Sequence, residues 1–359
     1  MAVSPLGASP LGKVLVTGGA GFIGSALSQL LAESAERWVV LDNLHPQVHP
    51  SGGRPDSLHP SAELVVGDVA DDQTWTALLE DFRPDVVVHL AAETGTAQSL
   101  HEASRHAEVN VLGTTRMLDA LAAVGHVPAH FILSGSRAVY GEGTWRRADG
   151  TEFSPGQRSH AQFTRAEWDF ASAVPLPSEA SRTWPAPTSV YGATKLAQEQ
   201  LLSAWTGSHD SHLTVLRFQN VYGPGQSLIN PYTGIVSLFS RLARQGESIP
   251  VYEDGLITRD FVYIDDVADS LAAVILAPPT SGSPFDIGSG VGTTILELAS
   301  MIARFHDAPA PHITGAFRDG DVRHAECDIS RSVDTLDWAP QRGLEVGIAN
   351  LQEWIASQD

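Results

Sequence analysis

TGGAGFIG, Thr17 to Gly24, is the stretch that decides how this chain folds. An apolar run, KVLV from Lys13, leads into it, and a helical pattern from about Gly21 to Ser34 leaves it. Gly18, Gly21 and Gly24 therefore punctuate a strand-to-helix turn at intervals of three. Glycines so spaced let the backbone turn tightly, let a pyrophosphate approach the main chain and let helix pack on strand. The amides at the helix start, Phe22 and Ile23, face the phosphates. A lone glycine pattern is weak, but a strand before it and a helix after it point to a dinucleotide turn.

Outward from this turn the second strand, WVVLDNL, ends at Asp42 and Asn43, eighteen residues past Gly24. A carboxylate there accepts from both hydroxyls of an adenosine ribose and repels a 2′-phosphate. No basic residue sits in the glycine turn or directly after Asp42, so the pattern selects NAD over NADP. Asp68 and Val69, closing AELVVGDV, are placed to meet the adenine. Further on, PDVVVHLAA, a helical stretch over Val109 to Val124 and HFILSGS continue the alternation. Near-continuous Val/Ile/Leu strands separated by helices predict an α/β fold, a doubly wound parallel sheet of the Rossmann type. Residues 1–12 read as a flexible tail, 13–220 as the NAD-binding domain and 221–359 as mainly a smaller substrate-binding α/β lobe. Within the first domain, 143–187 has three tryptophans and little periodicity, and reads as a folded insertion near the active-site mouth.

Composition narrows the classes. Apolar residues make up 43% of the 359 and no run approaches a membrane span, so a soluble protein with no membrane partner is expected. The N-terminus lacks an export signal, and the single cysteine, Cys327, suits the cytoplasm. His45, His49 and His59 lack metal-site spacing, and no metal is expected. A net charge of −20 argues against nucleic acid. A phosphate-bearing ligand must then be held by particular arginines and helix N-termini.

SVYGATKLAQEQLL places Tyr191 and Lys195 four apart, on one helical face. A tyrosine ionises near pH 10, too high for a neutral-pH base, and an adjacent ammonium lowers that value. Such a pair can take a proton from a sugar hydroxyl while the adjoining carbon gives hydride to nicotinamide. Ser136, ending ILSGS, stands at a strand C-terminus, where open α/β sheets bind ligands.

Together TGGAGFIG, LDNL, GDVAD, HLAA, NVLGT, SGSRAVYG, YGATK, FQNVYGPGQ and TRDFVYIDDVA resemble the extended short-chain dehydrogenase/reductase superfamily, in its nucleotide-sugar epimerase and dehydratase branch. The resemblance implies Tyr191 as base, Lys195 as its pKa-lowering and ribose-binding partner, and Ser136 as donor to the sugar oxygen. It implies Leu90, Ala91 and Ala92 at the cofactor and Asn110 as a helix-positioning residue behind the site. Asn220, Arg259 and Arg323 would hold the sugar diphosphate. Dehydratases of the superfamily typically read Thr-Asp-Glu where this chain reads Ser136, Arg137, Ala138, so acid-assisted dehydration is disfavoured and 4-epimerisation through a transient C4 ketone is expected. HLAAETGTAQSLHEASRHAEVNVLGT, the long insertion and NVYGPGQSLINPYTGIVSLFS are similar to the dTDP-L-rhamnose 4-epimerase group. That likeness implies a dTDP-6-deoxyhexose substrate, with Glu93, Thr94, Arg137, Asn230 and Tyr232 near the sugar. Some members of that group carry Cys-x-x-Cys in the insertion, and this chain has no cysteine there.

Other fates of a 4-keto nucleotide sugar stay open to the sequence: UDP-hexose or UDP-uronate 4-epimerisation, uronate decarboxylation, or dehydration using Glu93. A dinucleotide sensor without activity is the non-enzyme alternative. The superfamily implies a homodimer through the helices around Val109–Val124 and Tyr191–Leu202. The Asp42 reading predicts that titration calorimetry finds NAD bound more tightly than NADP, and that Asp42→Ala narrows the difference.

Overall fold

The computed structural model describes residues 11–228, 234–280 and 284–358. Seven parallel strands form the main sheet: β1 (Leu11–Thr17), β2 (Ala35–Asp42), β3 (Ala62–Val66), β4 (Val86–His89), β5 (His130–Ser136), β6 (His212–Phe218) and β7 (Phe285–Ile287). Their order is β3-β2-β1-β4-β5-β6-β7. The order reverses between β1 and β4, and the crevice beyond those two strand ends is where doubly wound sheets take their ligand. β1 already begins at Leu11, inside the span read as tail.

The longer helices are α1 (Phe22–Leu31), α2 (Asp72–Asp81), α3 (Gly113–Ala123), α4 (Val190–Gly207), α5 (Ile235–Arg244), α6 (Ile264–Leu276), α7 (Ile295–Phe305) and α8 (Leu344–Ser357). Strand side chains alternate between faces, and the core follows that period. Val14, Val16, Trp38, Val40 and Ile132 pack under α1 and α6 with Leu27, Leu31, Val267 and Leu271. Leu15, Val39, Leu41, Phe131 and Leu133 pack under α2, α3 and α4 with Trp75, Leu79, Met117 and Leu202. Each such side chain, fully buried, contributes about 1.5–3 kcal/mol, so the two faces hold the sheet against its helices.

Beyond residue 220 the chain divides its allegiance. α6 and β7 return to the large sheet, while Asn220–Tyr222, Thr258–Tyr263, Gly292–Thr294 and His324–Ala325 form a small sheet under α5, α7 and α8. Phe239, Ile249, Phe261, Leu298, Ile302 and Leu351 are its core. The 143–187 segment folds into an antiparallel three-stranded sheet of Trp145–Arg147, Glu152–Phe153 and Ala173–Pro175. Trp145 is buried against Phe170 at 4.9 Å, Trp168 packs beside Phe163 and Phe317, and Trp184 stays exposed.

Gly18 shows why the first turn has its sequence. It has φ +67°, and a Cβ there would lie 2.7 Å from the Ala91 backbone at the end of β4. Gly18→Ala is expected to lower the melting temperature, with at least the ~1–2 kcal/mol strain of a left-handed residue, and to weaken NAD binding in parallel. Calorimetry with and without NAD checks both.

Candidate active site

The residues selected from sequence for the cofactor and the chemistry converge at the β1/β4 crevice. Gly21 is the N-cap of α1 and no side chain caps that helix, so its first-turn amides are left to an outside acceptor. Asp42 closes β2, with Oδ2 accepting from the Ala20 amide at 3.1 Å and Oδ1 from the Leu44 amide at 2.9 Å. These bonds lock the carboxylate beside the glycine turn and leave lone pairs for a diol. Asn43 donates to Asp68 at 3.0 Å, and Asp68 accepts from the Ala70 amide at 2.8 Å, which joins the ends of β2 and β3. Leu90 donates through its amide to Thr17, and Val69 is buried below α3. A cradle that a Cβ would fill, an uncapped helix start and a preset carboxylate together fit NAD.

Asn110 ties the site together from behind. It lies in a π-helical turn, Glu108–Leu112, a form that often marks functional positions. Its Oδ1 accepts from the Glu93 amide at 2.7 Å, and its Nδ2 donates to the Glu93 carbonyl at 3.0 Å and to Thr194 at 2.9 Å. The segment after β4 and the first turn of α4 are thereby pinned to one side chain. Ser189 caps α4, and the Tyr191 amide donates to Ser99 at 3.0 Å. Gly192 lets α4 approach further, since a Cβ there would strike the Ala138 carbonyl. The Tyr191 side chain consequently comes close enough to Ser136 for that hydroxyl to favour its ionised form.

Burial holds Tyr191 above its ordinary value, and the opposing influences are the Ser136 hydroxyl and the Arg137 guanidinium. Lys195 is buried and donates to Gln198 at 2.6 Å. Gln198 bonds Thr114 at 2.9 Å and stands 3.2 Å from His89, whose other ring nitrogen meets Thr17 at 2.7 Å. Burial, then the Lys195 charge, pushes His89 down to about 3, so it stays neutral. Burial brings Lys195 down to about 8, with Glu199 opposing.

On the substrate side, Arg137 Nε donates to Asn220 at 3.2 Å, and Arg259 is buried with Nη2 donating to Asp321 at 2.7 Å. Arg323 is spent elsewhere, forked onto Asp169 and Asp254 and 3.2 Å from Glu253. A guanidinium saturated by three carboxylates is a structural tie, and the expectation that it meets a phosphate does not fit. Glu93 pairs with Arg105 at 2.7 Å. Thr94 is exposed at the end of that segment, its carbonyl 3.3 Å from His106. Asn230 and Tyr232 lie outside the described residues. Arg318, which the sequence reading missed, sits over the Tyr252 ring and borders a cleft with Thr96, Leu100, Ser189 and Asp321. Its signal was available as a basic residue three before Asp321.

The insertion is fastened to this side by desolvated charge. Arg158 and its partners Glu142 (3.1 Å) and Glu253 (2.9 Å) are almost wholly buried, and Arg158 also donates to the Asp321 carbonyl at 2.9 Å. Glu142 accepts from the Arg323 amide at 2.9 Å, and burial raises it against Arg158. Phe163 stacks on Phe317 at 5.1 Å to close the joint.

Among the described residues, no group of three or more His, Cys, Asp or Glu is arranged to hold a metal, and no helix is long and apolar enough to cross a membrane. The doubly wound sheet and the Ser136, Tyr191, Lys195 constellation define a dinucleotide-dependent enzyme. Residues 14–288 match the NAD dependent epimerase/dehydratase family, and the chain belongs to it. It is 60% identical to a dTDP-L-rhamnose 4-epimerase of Burkholderia thailandensis, over 96% of this chain and 95% of the relative. A UDP-glucose 4-epimerase of Mycolicibacterium smegmatis is 32% identical over 96% and 99%. Among solved structures, the UDP-glucose 4-epimerase of Thermotoga maritima with UDP-glucose superposes with a TM-score of 0.80 at 28% identity, covering 96% of this chain and 99% of that one. The UDP-glucose 4-epimerase of Thermus thermophilus in complex with NAD gives 0.75 at 27%, covering 97% and 100%.

Arg158→Met would strand Glu142 and Glu253 in a dry interior. It is expected to cost about 3–5 kcal/mol in urea unfolding and to expose the 143–187 segment to protease.

Proposed function

We propose that this chain is an NAD-dependent 4-epimerase of a dTDP-6-deoxyhexose, dTDP-L-rhamnose in the first instance. The observation that carries the reading is the near full-length 60% identity to the Burkholderia enzyme. The site chemistry agrees, because Ser136, Arg137 and Ala138 offer no carboxylate to expel water from the sugar.

The larger part, up to about residue 220, holds the cofactor. Gly18, Gly21, Phe22, Ile23 and Gly24 line the diphosphate, Asp42 and Asn43 the adenosine ribose, Asp68 and Val69 the adenine, and Leu90 to Ala92 the crevice between. When bound there, NAD supplies a reversible hydride acceptor for C4 of the sugar. Tyr191 accepts the C4 hydroxyl proton, and Ser136 donates to the same oxygen as it becomes a carbonyl. Lys195 orients the nicotinamide ribose. The 4-keto sugar turns over in the site, and Tyr191 returns the proton to the epimeric alkoxide. Asn220, Arg259 and Arg318 hold the diphosphate, while Thr94 and Arg137 stand near the sugar. Asn230 and Tyr232 remain sugar contacts in this reading.

We also assign a cytoplasmic homodimer, formed through α3 and α4, on the superfamily resemblance. Light scattering is expected to give twice the chain mass.

Incubated with dTDP-L-rhamnose in deuterated water, the protein is expected to yield the C4 epimer by proton NMR, without C5 exchange or net NADH. Tyr191→Phe is expected to keep NAD and lose about 10²–10⁴-fold in rate. Turnover of UDP-hexoses or uronates in its place would overturn the substrate assignment. Unchanged turnover in Tyr191→Phe would overturn the role of the tyrosine.

A further inference from the structure

Arg318 is exposed, and it stands on residues 314–323, a stretch with neither helix nor strand. A long side chain on such a stretch keeps a fixed direction only where its neighbours are anchored. The anchors come from the 143–187 insertion. Phe317 stacks on Phe163 at 5.1 Å, with Trp168 6.4 Å away. Asp319 meets His160 at 3.0 Å, the Asp321 carbonyl accepts from Arg158 at 2.9 Å, and Arg323 donates to Asp169 at 2.8 Å. Both chain neighbours of Arg318 are therefore held by the insertion.

The ring beneath Arg318 is held in the same way. The guanidinium lies 5.0 Å from the centre of the Tyr252 ring. Glu253, next in the chain, accepts from Arg158 at 2.9 Å, and Asp254 takes the fork of Arg323. Arg158 thus joins the turn that carries Tyr252 to the Asp321 carbonyl. The Asp321 carboxylate in turn accepts from Arg259 at 2.7 Å.

Two guanidiniums on the basic side of the cleft, Arg318 and Arg259, take their positions from a segment that meets them only through other residues. His160, Phe163 and Asp169 do not line the cleft, which Arg318, Asp321, Thr96 and Ser189 border. Arg158 is wholly buried and engaged by Glu142, Glu253 and two carbonyls, so its charge is spent inside the joint. The insertion acts on the cleft by position.

We propose that His160, Phe163 and Asp169 are positioning residues for substrate: through Phe317, Asp319 and Arg323 they aim Arg318 and Arg259, and so set the affinity for the nucleoside diphosphate half of the substrate. The proposal rests on the reading above in which those two arginines hold the diphosphate. The chemistry at C4 and the grip on NAD lie across the cleft and do not depend on this hold.

The test measures dTDP and UDP binding by titration calorimetry, together with kcat and KM for dTDP-L-rhamnose, in wild type, Asp169→Asn, Asp169→Glu and Phe163→Leu, all loaded with NAD. Asp169 is exposed, so its replacement is expected to leave the fold intact, which the melting temperature checks. In Asp169→Asn and Phe163→Leu the dissociation constant for the diphosphate and KM should rise together, about 3- to 30-fold, with kcat and NAD affinity unchanged. Asp169→Glu should keep wild-type values. The sign is decisive, because removing a carboxylate near an anion site tightens the anion by charge alone. Unchanged or tighter binding in Asp169→Asn, or a fall in kcat with KM unchanged, would overturn the proposal. Wild-type protein that binds either diphosphate but does not epimerise dTDP-L-rhamnose would overturn the substrate reading, and the binding comparison would still decide the role of the insertion. Binding of neither diphosphate would overturn both.

Discussion

Helix α4 lies where it does because position 192 carries no side chain. With nothing to hold it off the Ala138 carbonyl, its first turn settles against the end of β5, and Tyr191 meets Ser136. Asn110 fixes the same turn from the other side, through Thr194 and both backbone groups of Glu93. A buried amide with its polar atoms engaged has little freedom to rearrange, so the helix, the segment after β4 and the end of β5 behave as one joint. The hydroxyl pair, the lysine and the glycine turn inherit their separations from it.

Charge is arranged differently on the two sides of this joint. Behind it, the Lys195–Gln198–His89–Thr17 chain is buried, and His89 is held neutral, so the charge carried by that chain is the ammonium. In front, the like charge of Arg259 acts on buried Arg137 in a molecule of net charge −20. Two like charges in a dry region are unfavourable unless something holds them. Asn220 and Asp321 do so, and Asp321 is itself held through its carbonyl by Arg158 of the insertion. The insertion is thus part of the scaffold of the basic side of the cleft. Arg158 of the insertion, buried with Glu142 and Glu253 from outside it, gives the segment a defined seat.

Much of the fold was legible in the chain. The glycine turn, Asp42 and the alternation of apolar strands with helices encode local geometry, and each required only its neighbours to be read. β7 escaped notice because three residues beyond a variable stretch carry too little periodicity to mark a strand. β6 was hidden because polar His212 and Arg217 stand near its ends and leave only a short apolar run between them. Ser136, Tyr191 and Asn110 were recognisable through short motifs that each lie within a single turn of backbone.

Read alone, the chain established which groups could do the chemistry: a hydroxyl, a phenol, an ammonium and several guanidiniums, with an uncapped glycine turn before them. It could not apportion the charges. That Arg323 is tied to three carboxylates, and that Glu93 is the partner of Arg105, came only with folding. The difference is one of range. Backbone preferences act over a few neighbouring residues, whereas Coulomb interaction in a dry interior depends on groups as far apart in the chain as Glu142 and Arg323, and only the folded packing sets that distance.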